Sequence, residues 1–384
     1  MIRNIQLVLF STILLLVSCS KDENNQKKVP LPPEPLVYKD GEVSNDLKMN
    51  QLQYLSSHNS YRKHTDKQIY AFVKNFAAVL PYDLTDWEYD HVDMYTQLER
   101  YGVRHVELDL YGDKAGGRFY SRAGYKLTNR DPESHIEALK QPGLKVMHIP
   151  DVDCETNYYT FIEALKDLKR WSDAYPDHLP LYVMIEAKTE TVGDVLSFLG
   201  FVKAEPWDDE NISSIEKEIL QVFPREQIIV PVDIRRNYST LRQAVLEKGW
   251  LTIGEARGKI MFMLDGDAIN NSYKELHPDL ESRIIFRDAL ENDDDAAYIQ
   301  ENDPFDPRIP TLVKQGFMVR SMIGGVNEAK SGDYSLWEAG KAAGVQFLST
   351  DYYKPDERAG VVACWTDFHV GLENHSYRIN PITK

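Results

Sequence analysis

The chain has 384 residues, 42% of them hydrophobic and 27% charged, with a formal net charge of −16 at pH 7. That acidity argues against a nucleic-acid partner and against electrostatic adhesion to an anionic membrane. Only three cysteines are present, too few for a disulfide-built scaffold in a chain of this size.

The N-terminus reads as a targeting segment. Arg3 precedes an apolar run, Ile5 to Val17, that is too short to span a bilayer as a mature helix. The run ends in Leu16-Val17-Ser18-Cys19, which looks like a bacterial lipobox, so residues 1–18 are expected to be a lipoprotein signal peptide and Cys19 to carry lipid. Residues 19–47 read as the lipidated cysteine and a flexible tether, polar at first and then proline-rich (Pro30, Pro32, Pro33, Pro35). The expectation is an exported bacterial lipoprotein, membrane-anchored through Cys19, in the periplasm or at the cell surface. Residues 48–384 then form one catalytic unit, expected to be a monomer. Cys154 and Cys364 either pair or stay as thiols.

Within that unit, apolar runs closed by turn or polar residues predict eight strands. They are Leu52–His58, His105–Leu110, Leu144–Ile149, Leu181–Lys188, Gln227–Pro231, Lys259–Asp265, Phe317–Ile323 and Val345–Asp351. Helical patterns lie between most of them, including Val92–Tyr101, Tyr159–Ala174, Thr191–Leu199, Ser214–Phe223, Ser239–Glu247 and Ser335–Ala343. This alternation predicts an α/β fold, a (β/α)8 TIM-type barrel with room for irregularity. The acidic stretch from Gly266 to Pro310 has no clear period and reads as an inserted helix pair and a loop.

In such a barrel, the C-terminal ends of the strands line the active site. Four strings fall there: Ser57-His58-Asn59-Ser60, Glu107-Leu108-Asp109, Met147-His148-Ile149 and Met184-Ile185-Glu186. Strand alternation puts His105, Glu107 and Asp109 on one face and Val106, Leu108 and Leu110 on the other. Packing the apolar face against outer helices turns two carboxylates inward, and Glu186 repeats the arrangement two strands later. Buried carboxylates in such a group need neutralisation, and hard oxygen donors suit Ca²⁺, with Mg²⁺ second. The plainer reading is that these acids pair with Arg104 or Lys188.

These strings also resemble a known family. Ser56-Ser57-His58-Asn59-Ser60-Tyr61 is similar to the opening motif of the phosphoinositide-specific phospholipase C catalytic domain. Gln97-Leu98 through Gly102-Val103-Arg104-His105-Val106-Glu107-Leu108-Asp109 resembles its next block, and His148 and Glu186 stand where it has its second histidine and last acidic ligand. The resemblance is to the calcium-dependent bacterial group and spans about Lys48 to Lys188. It implies that Asn59, Glu107, Asp109 and Glu186 bind one Ca²⁺, and that His58 and His148 are catalytic. It further implies attack by the inositol 2-hydroxyl of an inositol phospholipid, or of a soluble inositol phosphodiester, with Glu107 taking the proton. His148 would protonate the leaving alkoxide, and the products would be diacylglycerol and a cyclic inositol phosphate. A glycerophosphodiester phosphodiesterase-like hydrolase and a non-catalytic surface binding barrel are the alternatives.

Softer candidates come from strand ends. Lys188 shares the face of Glu186 and either contacts phosphate or an inositol hydroxyl or simply snorkels. Asp351 either hydrogen-bonds His58 or serves a cap or turn. Arg320 and Tyr353 are candidates for the inositol pocket, His105 reads as a core histidine, and Arg235 and Arg236 as a solvated loop. The aromatic stretch His64–Asp90 reads either as a lipid-docking loop or as a lid packed on the barrel.

Overall fold

The computed structural model describes residues 40–75, 84–372 and 376–383. Its strands in chain order are β1 (Leu52–Ser57), β2 (Val103–Tyr111), β3 (Lys145–Val146), β4 (Leu181–Ala187), β5 (Ile228–Ile229) and β6 (Ile260–Asp265). They continue with β7 (Ile285–Arg287), β8 (Tyr298–Gln300), β9 (Met318–Gly324), β10 (Phe347–Thr350) and β11 (Tyr377–Ile379). Parallel pairing runs β6–β4–β2–β1–β10–β9–β8, and β7 pairs in parallel with β6. A parallel bridge from Asp288, just past β7, to Tyr298 joins the ends of this curled sheet. The result is the TIM-type barrel that the alternation of elements predicts.

Burial explains which residues became strands. β4 reads Leu-Tyr-Val-Met-Ile-Glu-Ala and is buried on both faces, as a parallel stave between barrel interior and helices must be. On β2, Val106, Leu108 and Leu110 enter the main hydrophobic core, which leaves His105, Glu107 and Asp109 for the interior. The helix Phe161–Ala174 starts from a Thr160/Glu163 capping box and buries Ala164, Leu165, Leu168 and Trp171. The barrel floor is aromatic. The rings of Tyr54, Tyr182 and Tyr298 pack on Phe347, and His105 stacks on it at 4.5 Å. His105 is thus the core histidine its depth suggested.

Three expectations need correction. The run Leu144–Ile149 is not a barrel stave: only Lys145–Val146 is strand, and it pairs antiparallel with the tip of β2. β2 and β4 are therefore direct neighbours, with Asp109 opposite Glu186 in register. The fifth strand shrinks to two residues, which pair with the start of β6 while β7 takes the rest of that edge. The stretch Gly266–Pro310 is not a helix pair and a loop. It supplies the α-helix Asp267–Leu276, a single 3-10 turn at Leu280–Ser282, and the staves β7 and β8.

The signal and lipid expectations on residues 1–39, and Phe76 and Tyr82 of the aromatic stretch, lie outside the described residues. The last part of the expected tether packs against the base of the barrel. Asp40 accepts two hydrogen bonds from Arg104, 3.0 and 2.6 Å, and Arg257 donates to Val43 O. In the aromatic stretch, the helix Lys67–Lys74 buries Ile69 and Val73 with Leu84 and Trp87 against Ile149 and Val152. Arg235 is in an ion pair with Glu281, and Arg236 donates to the carbonyls of Ile234 and Gly249, so neither is merely solvated. Cys154 is a buried free thiol, so it does not pair with Cys364.

Candidate active site

The first string is held by its own serines. Ser60 N–H donates to Glu107 O at 3.0 Å, and Ser60 Oγ accepts from Glu107 N–H at 2.8 Å, which stitches the end of β1 to the middle of β2. Between them the chain turns through Asn59 at φ +46°, a left-handed conformation that asparagine tolerates better than most residues. The turn leaves His58 and Asn59 over the barrel mouth. Asn59 Oδ1 accepts from the Tyr61 hydroxyl at 3.2 Å, and its amide donates to the Tyr89 hydroxyl at 2.9 Å.

His58 lies between two acids. Its Nδ1 is 2.7 Å from Asp351 Oδ1, and its Nε2 is 3.5 Å from Glu107 Oε1. Burial opposes protonation of this ring, but Glu107 and Asp351 outweigh it and push its pKa up to about 9. Its backbone carbonyl accepts from His91 Nε2 at 2.8 Å. His91 is itself buried, which pushes its pKa down to about 3 and leaves it neutral.

His148 sits differently. Its Nδ1 is 2.6 Å from Asp153 Oδ2, which leaves Nε2 as the ring atom available to a ligand. Burial lowers its pKa, and the charges of Arg62 and Lys188 add to this. Asp153 is fully buried and also receives Arg62 Nε at 2.9 Å and the Thr65 hydroxyl at 2.5 Å. Burial would raise the Asp153 carboxyl, but Arg62 and His148 prevail and hold it at about 2.

The three inward carboxylates converge. Glu107, Asp109 and Glu186 each bring an oxygen within 4.8 Å of the others. Asp109 is fully buried, and neither of its oxygens accepts a hydrogen bond. Burial drives its pKa well above the usual carboxylate range; Glu186 and Glu107 push it further up, against Lys188. Unsatisfied buried oxygens grouped in this way fit a hard divalent cation. Glu107 Oε2 also accepts from Arg320 Nη2 at 2.8 Å, and Lys188 Nζ lies 2.8 Å from Glu186 and 3.4 Å from Asp109. Arg104, the other cation considered for these acids, pairs with Asp40 at the far end of β2 instead.

The structure thus brings together His58, Glu107, Asp109, Glu186, Lys188, Arg320 and Asp351, while the Asn59 side chain is bonded to Tyr61 and Tyr89 and His148 to Asp153. Of the two readings of Asp351, contact with His58 holds. Arg320 is buried, and its guanidinium goes to Glu107, Ser349 and Asn302. Tyr353 is not brought to the cluster: its hydroxyl accepts from Val92 N–H at 3.2 Å, and its ring stacks on His91 at 5.0 Å. Sequence reasoning missed Asp265, which ends β6 opposite Glu186 and which burial, Glu186 and Glu107 together push up to about 6. The strand-end rule that selected Glu186 could have found it. It also missed Asp153 and Arg62, which lie on loops and carry no such signal.

Acidic oxygens for a cation beside two carboxylate-bound imidazoles suit phosphoric ester chemistry, so fold and site together define a barrel phosphodiesterase. Comparison with known proteins narrows that class. Residues 47–381 match the model of the family described as phosphoinositide phospholipase C, Ca²⁺-dependent, and the chain belongs to that family. Among solved structures, it is similar to the calcium-dependent phosphoinositol-specific phospholipase C of a Gram-negative bacterium, Pseudomonas sp. The TM-score is 0.54 at 15% identity, covering 90% of this chain and 99% of that one. A myoinositol complex of the Pseudomonas protein matches with a TM-score of 0.52 at 15% identity, covering 88% and 96%. At that identity the likeness bears on the fold alone. No curated protein sequence matches the chain.

Proposed function

We propose that this protein cleaves the glycerol–phosphate bond of an inositol phospholipid by attack of the inositol 2-hydroxyl, with Asn59, Glu107, Asp109 and Glu186 holding one Ca²⁺. The observation that carries the reading is the convergence of oxygens from Glu107, Asp109 and Glu186, with His58 Nε2 3.5 Å from Glu107 and His148 held through Nδ1 by Asp153. Family membership supports it, as does the inositol bound by the Pseudomonas relative.

Bound there, the ion would neutralise phosphate charge and acidify the attacking hydroxyl. Glu107 Oε1 accepts the hydroxyl proton, since Arg320 engages the other oxygen of this carboxylate. His58, held through Nδ1 by Asp351, donates from Nε2 to a phosphoryl oxygen and stabilises the negative charge that grows there. His148 is fixed by Asp153 with Nε2 free, and the approaching phosphate favours its imidazolium. It gives that proton to the glycerol oxygen as the P–O bond breaks. Diacylglycerol leaves, and the phosphate closes into a five-membered ring on inositol.

Phosphatidylinositol turnover followed by phosphorus NMR tests this. Loss of activity in excess chelator, recovery with Ca²⁺ and early appearance of a cyclic phosphate are expected. Turnover unchanged by chelator would refute the metal assignment. A product that is open-chain from the first time points would refute internal attack and favour water as the nucleophile.

A further inference from the structure

Of the two long cationic side chains bonded to the acidic cluster, Lys188 is 20% exposed and Arg320 is 3% exposed. The Lys188 backbone is fixed on both sides. The amide donates to Leu110 O at 3.0 Å, and the carbonyl accepts from Trp207 Nε1 at 2.9 Å. Movement at this position is therefore left to the four-carbon stem and its ammonium, a compact charge on a flexible chain. That ammonium sits against two of the three carboxylates of the cluster. A divalent cation bound at about 2.3–2.6 Å from oxygens of those same carboxylates would stand within a few ångströms of Nζ. Like charges that close, in a largely buried setting, repel strongly. An ion on these carboxylates would therefore weaken their hold on the ammonium.

We propose that Lys188 is the built-in counter-cation of the acidic cluster and exchanges with Ca²⁺, its ammonium leaving Glu186 and Asp109 as the ion enters. The inference rests on the reading of this cluster as the Ca²⁺ site. It gives the lysine two states with different work. Without the ion, the ammonium offsets the repulsion among Glu107, Asp109 and Glu186. With the ion, the same charge is released toward solvent at the barrel mouth, where it meets the phosphate of an incoming substrate. Arg320 cannot take this part, because its guanidinium is enclosed and bonded to Glu107, Ser349 and Asn302. Cation loading and anion recognition are then linked through one side chain.

The test is calorimetric titration of Ca²⁺ into the wild-type chain and Lys188→Met, with lysine labelling of the wild-type chain as a second readout. Removing the competing charge should lower the Ca²⁺ dissociation constant about tenfold, the scale of one pKa unit of charge interaction. In the wild-type protein, reductive methylation followed by mass spectrometry should be faster at Lys188 in saturating Ca²⁺ than in chelator, with exposed Lys140 as the internal reference. Equal or weaker Ca²⁺ binding by Lys188→Met, or labelling of Lys188 that is unchanged or slowed by Ca²⁺, overturns the exchange and leaves the Ca²⁺ site standing. No binding heat in either protein overturns the reading of the site and the inference with it. Should Lys188→Met not fold, labelling of the wild-type chain decides.

Discussion

Replacing Asp153 with asparagine separates the support of His148 from the chemistry of the cluster. The Asp153 carboxylate is fully buried and holds Arg62, His148 and the Thr65 hydroxyl at once. In the folded chain its carboxyl lies at about 2, against an ordinary value of 3.8. A depression of that size contributes roughly 2 kcal/mol, present above the unfolded value and lost as pH falls through 2. The Asp153→Asn variant would lack it and would also leave the buried guanidinium of Arg62 without a counter-charge, so the total loss should be about 3–5 kcal/mol. Urea denaturation at pH 7 reads the gap between wild type and Asp153→Asn, and the gap should narrow as pH goes from 4 toward 2. Turnover per folded molecule should fall on the order of 100-fold, because the amide no longer fixes the tautomer and angle of His148. A stability gap under about 1 kcal/mol at neutral pH, or one independent of pH, would refute the charge argument. Unaltered turnover would refute the link to His148.

Other expectations are independent of that one. Glu186→Gln should weaken Ca²⁺ binding at least about tenfold by calorimetry while circular dichroism stays unchanged, since a carboxylate ligand is removed from a site already lined by others. His58→Ala should cut kcat on phosphatidylinositol by about 10²–10⁴, the usual scale for a proton-handling or charge-stabilising group, and a variant retaining more than half of wild-type turnover would remove it from the mechanism. Arg104→Met breaks a bidentate pair with Asp40 far from the site and should cost about 3–5 kcal/mol in urea denaturation with kcat per folded molecule preserved. Burial pushes the Cys154 thiol up to about 12, so thiol reagents should label it only on unfolding, and fast labelling of the native protein would contradict its enclosure.

The parts of the barrel that the sequence disclosed are those where one periodicity ran long enough to fix a face. β2 and β4 are long, apolar on their outer sides and acidic within, and the helix Phe161–Ala174 carries both its cap and its stripe in plain view. β7 and β8 are three residues each, too short for alternation to register, and they sit in an acidic stretch whose polarity belongs to surface turns. The run around His148 has the apolar content of a stave, but Pro142-Gly143 and Pro150 confine it, and the chain doubles back on the tip of β2. Of the candidate site, the carboxylates and histidines were legible as types at strand ends. Their partners were less so. Asp351 meets His58 from 293 positions away, and Arg320 meets Glu107 from 213 positions away, distances at which only the closed sheet decides who is a neighbour.

The junction of β7 and β8 has a consequence for how the molecule breathes. Every other neighbouring pair in the parallel circuit is a ladder of three or more registered positions, whereas here a single bridge from Asp288 to Tyr298 joins the two edges. Transient opening should begin at such a weakly bonded line, and amide hydrogen exchange should be fastest there. Counting staves around the circuit, that line faces the β1–β2 junction, where Ser60 stitches His58 and Asn59 to Glu107. The barrel therefore places its least-bonded line across from the stitch that holds His58 and Asn59. Fluctuations can run along that far wall while the carboxylates and imidazoles stay in register.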